Sequence, residues 1–527
     1  MGKRINTKTD ENQRAVGGKD PREFSVFNLN LAAGVKLKSR KSSIFGNLPA
    51  YIKSMAVCVA ALALSLLVTA CTTGPEYKKP SDSNLSALHN TKLLDARQTV
   101  APMPSLDIWW TGFQDPVLTN IIERVLAQNL DLAASIARVD QARAVAKGVG
   151  ARRLPQANAM TAVTRERQSL NSPLGEIASA FPGYQRTQTE YDVGVGASWE
   201  LDLFGGLKRG AQAADAEEQA AEADHVGVRI SVAAEAADAY FRIRGAQARI
   251  ALAENQVKTN VQLFELVQLR MHDGLSTVLE QAQAEARVSE SRAAIPSLLT
   301  EREKQLNRLD VLMGVQPGTS ASDLVKAVNT SIVPAIAVAE NPAELMRRRP
   351  DVIAAERRLA ASNAKIGEAM TEYYPKLSLS GLLGFSSLGS SAILASSSFQ
   401  PSISLGLQWR LFDFGRIDAE IARAKGVNSE ALIAYRIAML RTTEDVENSI
   451  MALAQLEEQS RELTKEVDAH QRARNASEDA YKGGAVSLTE VLYEDRLLLA
   501  AQDQLAQTHA DNGRAAVATF RALGGGW

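Results

Sequence analysis

The residues that most often carry acid–base or metal chemistry are sparse and scattered in this 527-residue chain. The five histidines are His89, His225, His272, His470 and His509. No two of them are separated by three or four residues, so the sequence contains no H-E-x-x-H pair. A P-loop, a G-x-S-x-G nucleophile motif and a C-x-x-C pair are also missing from the sequence. The sequence therefore predicts no enzyme active site, no metal site and no cofactor.

Cys71 is the residue whose setting indicates covalent chemistry. Residues 56–68 form a short apolar stretch behind a basic flank, which is typical of a secretory signal and too short for a spanning helix. The run Val68-Thr69-Ala70-Cys71 matches a bacterial lipobox, in which the cysteine sulfur is acylated and the cysteine becomes the first mature residue. Cys58 lies in the removed segment, so the mature chain can form no intrachain disulfide. The sequence predicts lipidation at Cys71, and a plain signal peptide with a chance cysteine is the alternative.

Two glutamates occupy matched positions further along the chain. Glu280 follows Gly274 by six residues, and Glu490 follows Gly484 by six. A lone glutamate on an alanine-rich helix usually lies on a solvated face, and the spacing alone leaves that interpretation open. Tyr481, three residues before the second glycine, can equally be a core aromatic at a helix end. The spacing does indicate that one local pattern is written twice.

An internal duplication accounts for this spacing. Residues 199–205 match residues 409–415 at an offset of 210, and Pro155 matches Pro375 at an offset of 220. The first half therefore has ten extra residues between Pro155 and position 199, and a length change of this kind marks an exposed loop. The predicted divisions are an N-terminal extension with the lipoprotein signal over 1–70, a first repeat over 71–330 and a second repeat over 331–527.

Four segments alternate apolar and polar residues with the period of two that a strand requires. The predicted strands are 156–165, 191–202, 376–385 and 402–411. Val195, Trp199, Leu405 and Trp409 fall on the apolar side, which fits contact with lipid outside and small polar residues inside. Four strands cannot close a barrel, and open strand edges cannot face lipid. Either the sheet is a soluble one or several chains complete it.

Each pair of strands leads into a very long helical stretch, about 207–313 in the first half and 417–523 in the second. Both stretches are rich in Ala, Glu, Gln, Arg and Leu, which is coiled-coil composition. Each is interrupted at a glycine, Gly274 or Gly484, where a helix can end and reverse. The sequence thus predicts a mostly α chain with two long helical hairpins and a smaller β part.

Six motifs, found in order along the chain, carry a resemblance to a known family. They are Gly74-Pro75-Glu76-Tyr77, Trp109-Trp110-Thr111-Gly112-Phe113, Trp199-Glu200-Leu201-Asp202-Leu203-Phe204-Gly205, Arg348-Arg349-Pro350-Asp351, Tyr481-Lys482-Gly483-Gly484-Ala485-Val486-Ser487 and Ala522-Leu523-Gly524-Gly525-Gly526-Trp527. With them the chain resembles, over 71–527, the TolC/OprM-type outer-membrane efflux proteins, in the NodT-like lipoprotein branch.

The resemblance implies a homotrimer in which three chains complete a 12-stranded β-barrel in the outer membrane. The long helices would form an α-helical coiled-coil barrel across the periplasm. Such a channel is lipid-anchored, contacts outer-membrane lipid and passively conducts small molecules to the cell exterior. Its partners would be an inner-membrane transporter and a periplasmic adaptor, also called a membrane fusion protein.

The resemblance also implies roles for the hairpin ends. Glu280 and Glu490 would lie near the periplasmic mouth as a ring of carboxylates, and Tyr481 would help to hold that channel gate closed. The residues implied as adaptor-contact tips are Gly274, Gly484 and Ser487.

A different class of protein also fits some of these features. A periplasmic coiled-coil lipoprotein acting as a scaffold or adaptor would share the lipid anchor and a helical hairpin. Such adaptors usually carry one hairpin beside a small β-domain, so the duplicated strands favour the channel. Nucleic acid is not an expected partner, because acidic residues outnumber basic ones over 71–527 and nucleic-acid binding requires a basic surface.

Overall fold

The computed structural model describes residues 73–80, 88–90, 92–93, 104–319, 324, 333–336 and 348–527. All of them belong to one unit, Leu67–Trp527. Cys71 lies outside the described residues. The predicted fold class, mostly α with four strands, is confirmed. Within the described part of the chain, no helix carries an apolar run long enough to cross a membrane.

The elements follow the same order twice. The first half has α1 (Pro116–Gln128), α2 (Leu130–Ala151), β1 (Gln156–Arg167), α3 (Pro173–Ser179), β2 (Thr187–Leu201), α4 (Gly206–His272) and α5 (Val278–Leu312). The second half has α6 (Pro350–Thr371), β3 (Lys376–Ser387), β4 (Ser402–Gln408), α7 (Arg416–Lys482) and α8 (Leu488–Ala522). The long helices α4 and α7 have 67 residues each, and α5 and α8 have 35 each. The short helix α3 lies in the longer loop of the first half.

The four strands form one antiparallel sheet in the order β1-β2-β3-β4. Their register places apolar residues opposite one another, because Trp199 pairs with Leu379 and Leu379 pairs with Leu405. On the other face Ser198 lies opposite Ser380. Side chains of paired residues share a face, so one side of the sheet is apolar and the other is mainly small and polar.

The last strand is shorter than the sequence predicted. β4 ends at Gln408, which pairs with Lys376, so Trp409 lies one residue beyond the strand. In this register the next residue of the partner strand would be Pro375, which has no N–H to donate to a ladder. The placement of Trp409 within a strand was therefore wrong.

The main core lies midway along the molecule, where several helices meet a short 3₁₀ helix, Leu106–Phe113. Trp109 is fully buried and stacks on Phe520, with ring centroids 5.5 Å apart. The N–H of Gly526 donates to the carbonyl of Leu106 at 2.7 Å, which ties the C-terminal segment to this core. This aromatic packing fixes the point from which the strands extend one way and the hairpins the other.

The first described residues are held at the junction of β2 and α4. The N–H of Thr73 donates to the carbonyl of Phe204 at 3.1 Å. Arg209, only 3% exposed, donates in turn to the carbonyl oxygen of Thr73 at 3.2 Å and to the Glu76 carboxylate at 3.1 Å. The segment that follows Cys71 is thus fastened beside the end of a strand, two residues after the predicted lipid anchor.

Candidate functional site

The two hairpin ends are built around glycines in the left-handed region. Gly274 has φ of +73° and Gly484 has φ of +76°. In the first turn the N–H of Leu275 donates to the carbonyl of Arg270 at 2.7 Å, and in the second Ala485 donates to Ala480 at 2.8 Å. A side chain at either glycine would meet no atom within 4 Å, so the backbone conformation, not crowding, requires glycine there. Both turns are exposed to solvent.

Glu280 closes a capping box at the start of α5. Its carboxylate accepts hydrogen bonds from the Ser276 hydroxyl at 2.7 Å and from the Thr277 N–H at 3.0 Å. Its own N–H donates to the Thr277 hydroxyl at 3.2 Å, which completes the reciprocal pair. The Ser276 and Thr277 hydrogen bonds hold the pKa of Glu280 below its usual range. The side chain is therefore a charged helix cap in the single chain.

Glu490 occupies the matching third position of α8 in a different setting. Ser487 at the N-cap of α8 makes no side-chain capping bond. Glu490 itself is exposed, and within the described part of the chain its carboxylate makes no hydrogen bond or ion pair. The duplicated pattern therefore places one glutamate against its own helix and leaves the other free to act on solvent or on another chain.

Tyr481 joins the two hairpins just above their ends. It is 3% exposed and packs with Val267 and Ala284 of the first hairpin. The Arg270 guanidinium lies 4.6 Å from its ring centroid and donates to the Tyr481 carbonyl at 3.0 Å. Burial raises the pKa of Tyr481. Among the described residues the hydroxyl has no hydrogen-bond partner, so packing and the cation–π contact hold the side chain in place.

The first hairpin end carries exposed apolar residues that sequence reasoning missed. Leu275, Val278 and Leu279 are each about two-thirds exposed, whereas Leu488, the counterpart of Val278 in the repeat, is fully buried. A position-by-position comparison of the two repeats does not predict this exposure, because apolar residues occur at this end of both hairpins. Only the packing shows that one set faces inward and the other faces solvent.

A buried carboxylate above the hairpin ends was also missed. Asp495 of α8 is 8% exposed and contacts Gln256 of α4, with the Arg474 guanidinium of α7 at 3.6 Å. Burial raises the pKa of Asp495. No local motif marks this residue, because its partners come from helices about 20 and 240 residues away in the chain.

The strand residues predicted to face lipid lie at the opposite end of the long helices. Val195 is 52% exposed, Leu405 65% and Trp409 53%, while Trp199 is half-buried. The two tryptophans make equivalent hydrogen bonds in the two repeats. Nε1 of Trp199 donates to the Arg153 carbonyl at 2.9 Å, and Nε1 of Trp409 donates to the Tyr373 carbonyl at 3.0 Å. A 67-residue helix spans roughly 100 Å, so the two predicted sets of site residues do not meet.

Known proteins match this chain over most of its length. The family described as outer membrane efflux protein matches residues 121–315 and 341–525. The chain is 31% identical to the pyoverdine export outer membrane protein OpmQ of Pseudomonas aeruginosa, covering 88% of this chain and 95% of that one. Nodulation protein T of Rhizobium leguminosarum bv. trifolii is 29% identical, with 88% and 96% covered. Among solved structures, the outer-membrane channel OprN matches with a TM-score of 0.79 and 31% identity, covering 87% of this chain and all of that one.

The capping box predicts different effects of removing the two glutamates. Glu280→Ala should speed amide hydrogen exchange in the first turn of α5 about fivefold, because a lost cap costs on the order of 1 kcal/mol. Glu490→Ala is the matched control and should leave the first turn of α8 unchanged. Because the pKa of Glu280 is lowered, the stabilisation is present at neutral pH and is lost as the pH falls through that lowered pKa. Equal effects of the two substitutions would contradict the assignment.

The setting of Tyr481 predicts that its ring matters and its hydroxyl does not. Tyr481→Phe should leave the packing between the two hairpins intact, because it removes a buried hydroxyl that has no partner among the described residues. Tyr481→Ala should loosen the junction of the hairpins, since truncating a buried aromatic costs about 3 kcal/mol. Amide hydrogen exchange at the ends of the two hairpins checks this. Exchange that is accelerated by Tyr481→Phe would show that the hydroxyl bonds to another chain.

Proposed function

Because the chain belongs to the outer membrane efflux protein family, we propose that it is the outer-membrane channel of a tripartite export system. It conducts small molecules passively, receiving them from an inner-membrane transporter through a periplasmic adaptor. The observation that carries the proposal is the joining, in one chain, of a sheet with an apolar face to two helical hairpins of equal length. No catalytic step is needed, and the energy for export comes from the partner transporter.

Closure of the sheet requires further copies of the chain. In the described structure β1 and β4 are the outer strands of an open sheet, and neither has a partner on its outer side. Unpaired backbone N–H and C=O groups cost several kcal/mol each in hydrocarbon, so an open edge cannot face lipid. Three chains supply twelve strands and remove the edges. Val195, Trp199 and Leu405 then face lipid, and Trp409 lies at the rim where β4 ends.

The hairpin ends supply the gate and the docking surface. Around a threefold axis, Glu490 contributes three solvent-facing carboxylates, and Glu280 contributes three that are held against their own helices. Opening requires the hairpins to separate, which breaks the packing of Tyr481 between them. The adaptor docks at the turns of Gly274 and Gly484, with Ser487 beside the second turn. The exposed apolar Leu275, Val278 and Leu279 add contact area at the first turn.

Membrane anchoring combines the barrel with an acyl group on Cys71. The described segment that begins at Thr73 is fastened beside Phe204, at the point where β2 gives way to α4. An acyl chain two residues earlier is thus within reach of the same membrane that holds the strands. The location we propose is the outer membrane, with the hairpins extending into the periplasm.

The barrel assignment predicts a difference between neighbouring residues of β4. Leu405→Arg should reduce assembly in the membrane, because an arginine on the lipid face costs about 2–4 kcal/mol near the bilayer midplane. Ser404→Arg is the matched control, on the opposite face of the same strand, and should be tolerated. The measurement is the yield of heat-modifiable oligomer in outer-membrane fractions. Equal tolerance at both positions would support a soluble sheet instead.

Single-channel recording tests the proposed function directly. The purified protein in a planar bilayer should open as a gated pore, and Mg²⁺ or Co²⁺ added on the periplasmic side should block it, because a ring of carboxylates binds cations. Glu490→Ala should remove most of the block, since the Glu490 carboxylate is free. Glu280→Ala should remove little of it, since the Glu280 carboxylate is hydrogen-bonded. A block that persists in the Glu280→Ala/Glu490→Ala double variant would show that neither glutamate binds the blocking cation. An absence of pores would overturn the channel.

A further inference from the structure

The apolar face of the sheet changes character along β1. The odd-numbered residues of β1 share the face of Val195, since Ala159 pairs with Val195. Over positions 157–163 this face carries only alanine, threonine and valine. Its last two places are taken by Arg165 and Arg167, both exposed, at the end of the strand remote from α2. An apolar strand face therefore ends in two cations.

The neighbouring strand adds hydrogen-bond donors at the same place. Arg165 pairs with Thr189 of β2, and Arg167 pairs with Thr187. Because the side chains of paired residues share a face, two guanidinium groups and two hydroxyls lie together. We call these four residues the cationic patch.

The carboxylates at this end of the two strands lie on the opposite face. Glu166 stands between the two arginines in β1, and Glu190 of β2 accepts a hydrogen bond from the Ser386 hydroxyl at 2.8 Å. Both occupy even-numbered positions, which point away from the patch. Among the described residues neither arginine of the patch makes a hydrogen bond or an ion pair. An anion from outside the chain can therefore reach both guanidinium groups.

The duplication fixes the height of the cationic patch in a closed barrel. β1 and β3 are related by 220 residues, and β2 and β4 by 210. The pair of Arg165 and Thr189 thus corresponds to Phe385 and Phe399, which form a β-bridge with ring centroids 5.4 Å apart. Aromatic residues on the outer face of a barrel mark the boundary between hydrocarbon and headgroups. Equivalent positions of two repeats share one height, so the patch lies at such a boundary.

The distance along β2 shows which boundary this is. Trp199, at the end of β2 that leads into α4, is ten residues from Thr189. A strand rises about 3.3 Å per residue, so ten residues span roughly 33 Å, or about 25 Å along the membrane normal at a tilt of about 40°. The apolar band of such barrels is about 25 Å tall. The patch therefore lies at the boundary remote from the helices, which is the outward-facing leaflet.

We propose that the cationic patch binds the phosphate of a glycolipid in the outward-facing leaflet, the lipid A headgroup of lipopolysaccharide. The proposal rests on the outer-membrane location given under the proposed function. A guanidinium presents paired N–H donors whose geometry matches phosphate oxygens, and the threonine hydroxyls can donate to the same group. Headgroups of the inner leaflet lie at the level of Trp199 and do not reach the patch. Each chain of the channel carries one such site.

Lipid A binding by the purified full-length protein tests the proposal. Native mass spectrometry of wild-type protein incubated with lipid A in detergent should show up to one bound lipid per chain. Arg165→Gln/Arg167→Gln should weaken binding about tenfold for each arginine removed, because hydrogen bonds between charged groups are the strong ones. Arg186→Gln is the matched control outside the patch, where Nε of Arg186 donates to the Gln168 carbonyl at 2.8 Å. Equal affinity in the wild type and the double variant would overturn the proposal.

The chemistry of the lipid and the face of the strand are tested separately. Lipid A stripped of its phosphates should bind no better to the wild type than to the double variant, because the anion is then missing. Adding Thr164→Arg to the double variant returns one positive charge on the opposite face and should not restore binding. A rescue by Thr164→Arg would overturn the patch by showing that total charge alone matters. Phosphatidylglycerol that binds as tightly as lipid A would overturn the assignment to the glycolipid.

The outcomes separate this proposal from the proposed function. Wild-type protein that forms trimers and pores but binds no lipid A would overturn the cationic patch as a lipid site and leave the channel standing. A wild-type protein that is monomeric in detergent and forms no pores would overturn the proposed function itself.

Discussion

The hydrogen-bonding requirement of a strand edge is the constraint on which the rest of this structure depends. In an outer membrane the apolar face of the four-stranded sheet contacts lipid, yet its two outer strands expose backbone groups that lipid cannot satisfy. The backbone groups of the outer strands are therefore satisfied in lipid only when the sheet is part of a closed ring. The paired long helices follow from the same requirement, because each strand pair continues into a hairpin that the ring must also accommodate.

The internal duplication provides the repeated strands and hairpins of that ring, and the two repeats differ at individual side chains. The 67-residue helices and the glycine turns are the same in both halves. Glu280 is bound to its own helix while Glu490 makes no hydrogen bond or ion pair within the described part of the chain.

Much of the fold could be predicted from the sequence because its signals are local. Period-two alternation located the four strands, and the glycines located the hairpin turns. Trp409 was misplaced because the pairing of β4 ends opposite Lys376, the first residue of β3, and Pro375 before it cannot extend the ladder. The capping box of Glu280, the burial of Tyr481 and the exposure of Leu275 depend on packing that only the folded chain shows. Asp495 was missed for the same reason, since its neighbours are brought together only by the fold.

The central claim is that three identical chains close one barrel. Native mass spectrometry of the full-length protein, extracted in detergent and released from its micelle, measures this most directly. The account predicts a single species with the mass of three mature chains, each carrying an acyl modification at its first residue. A species with the mass of one chain, stable at the same protein concentration, would contradict it.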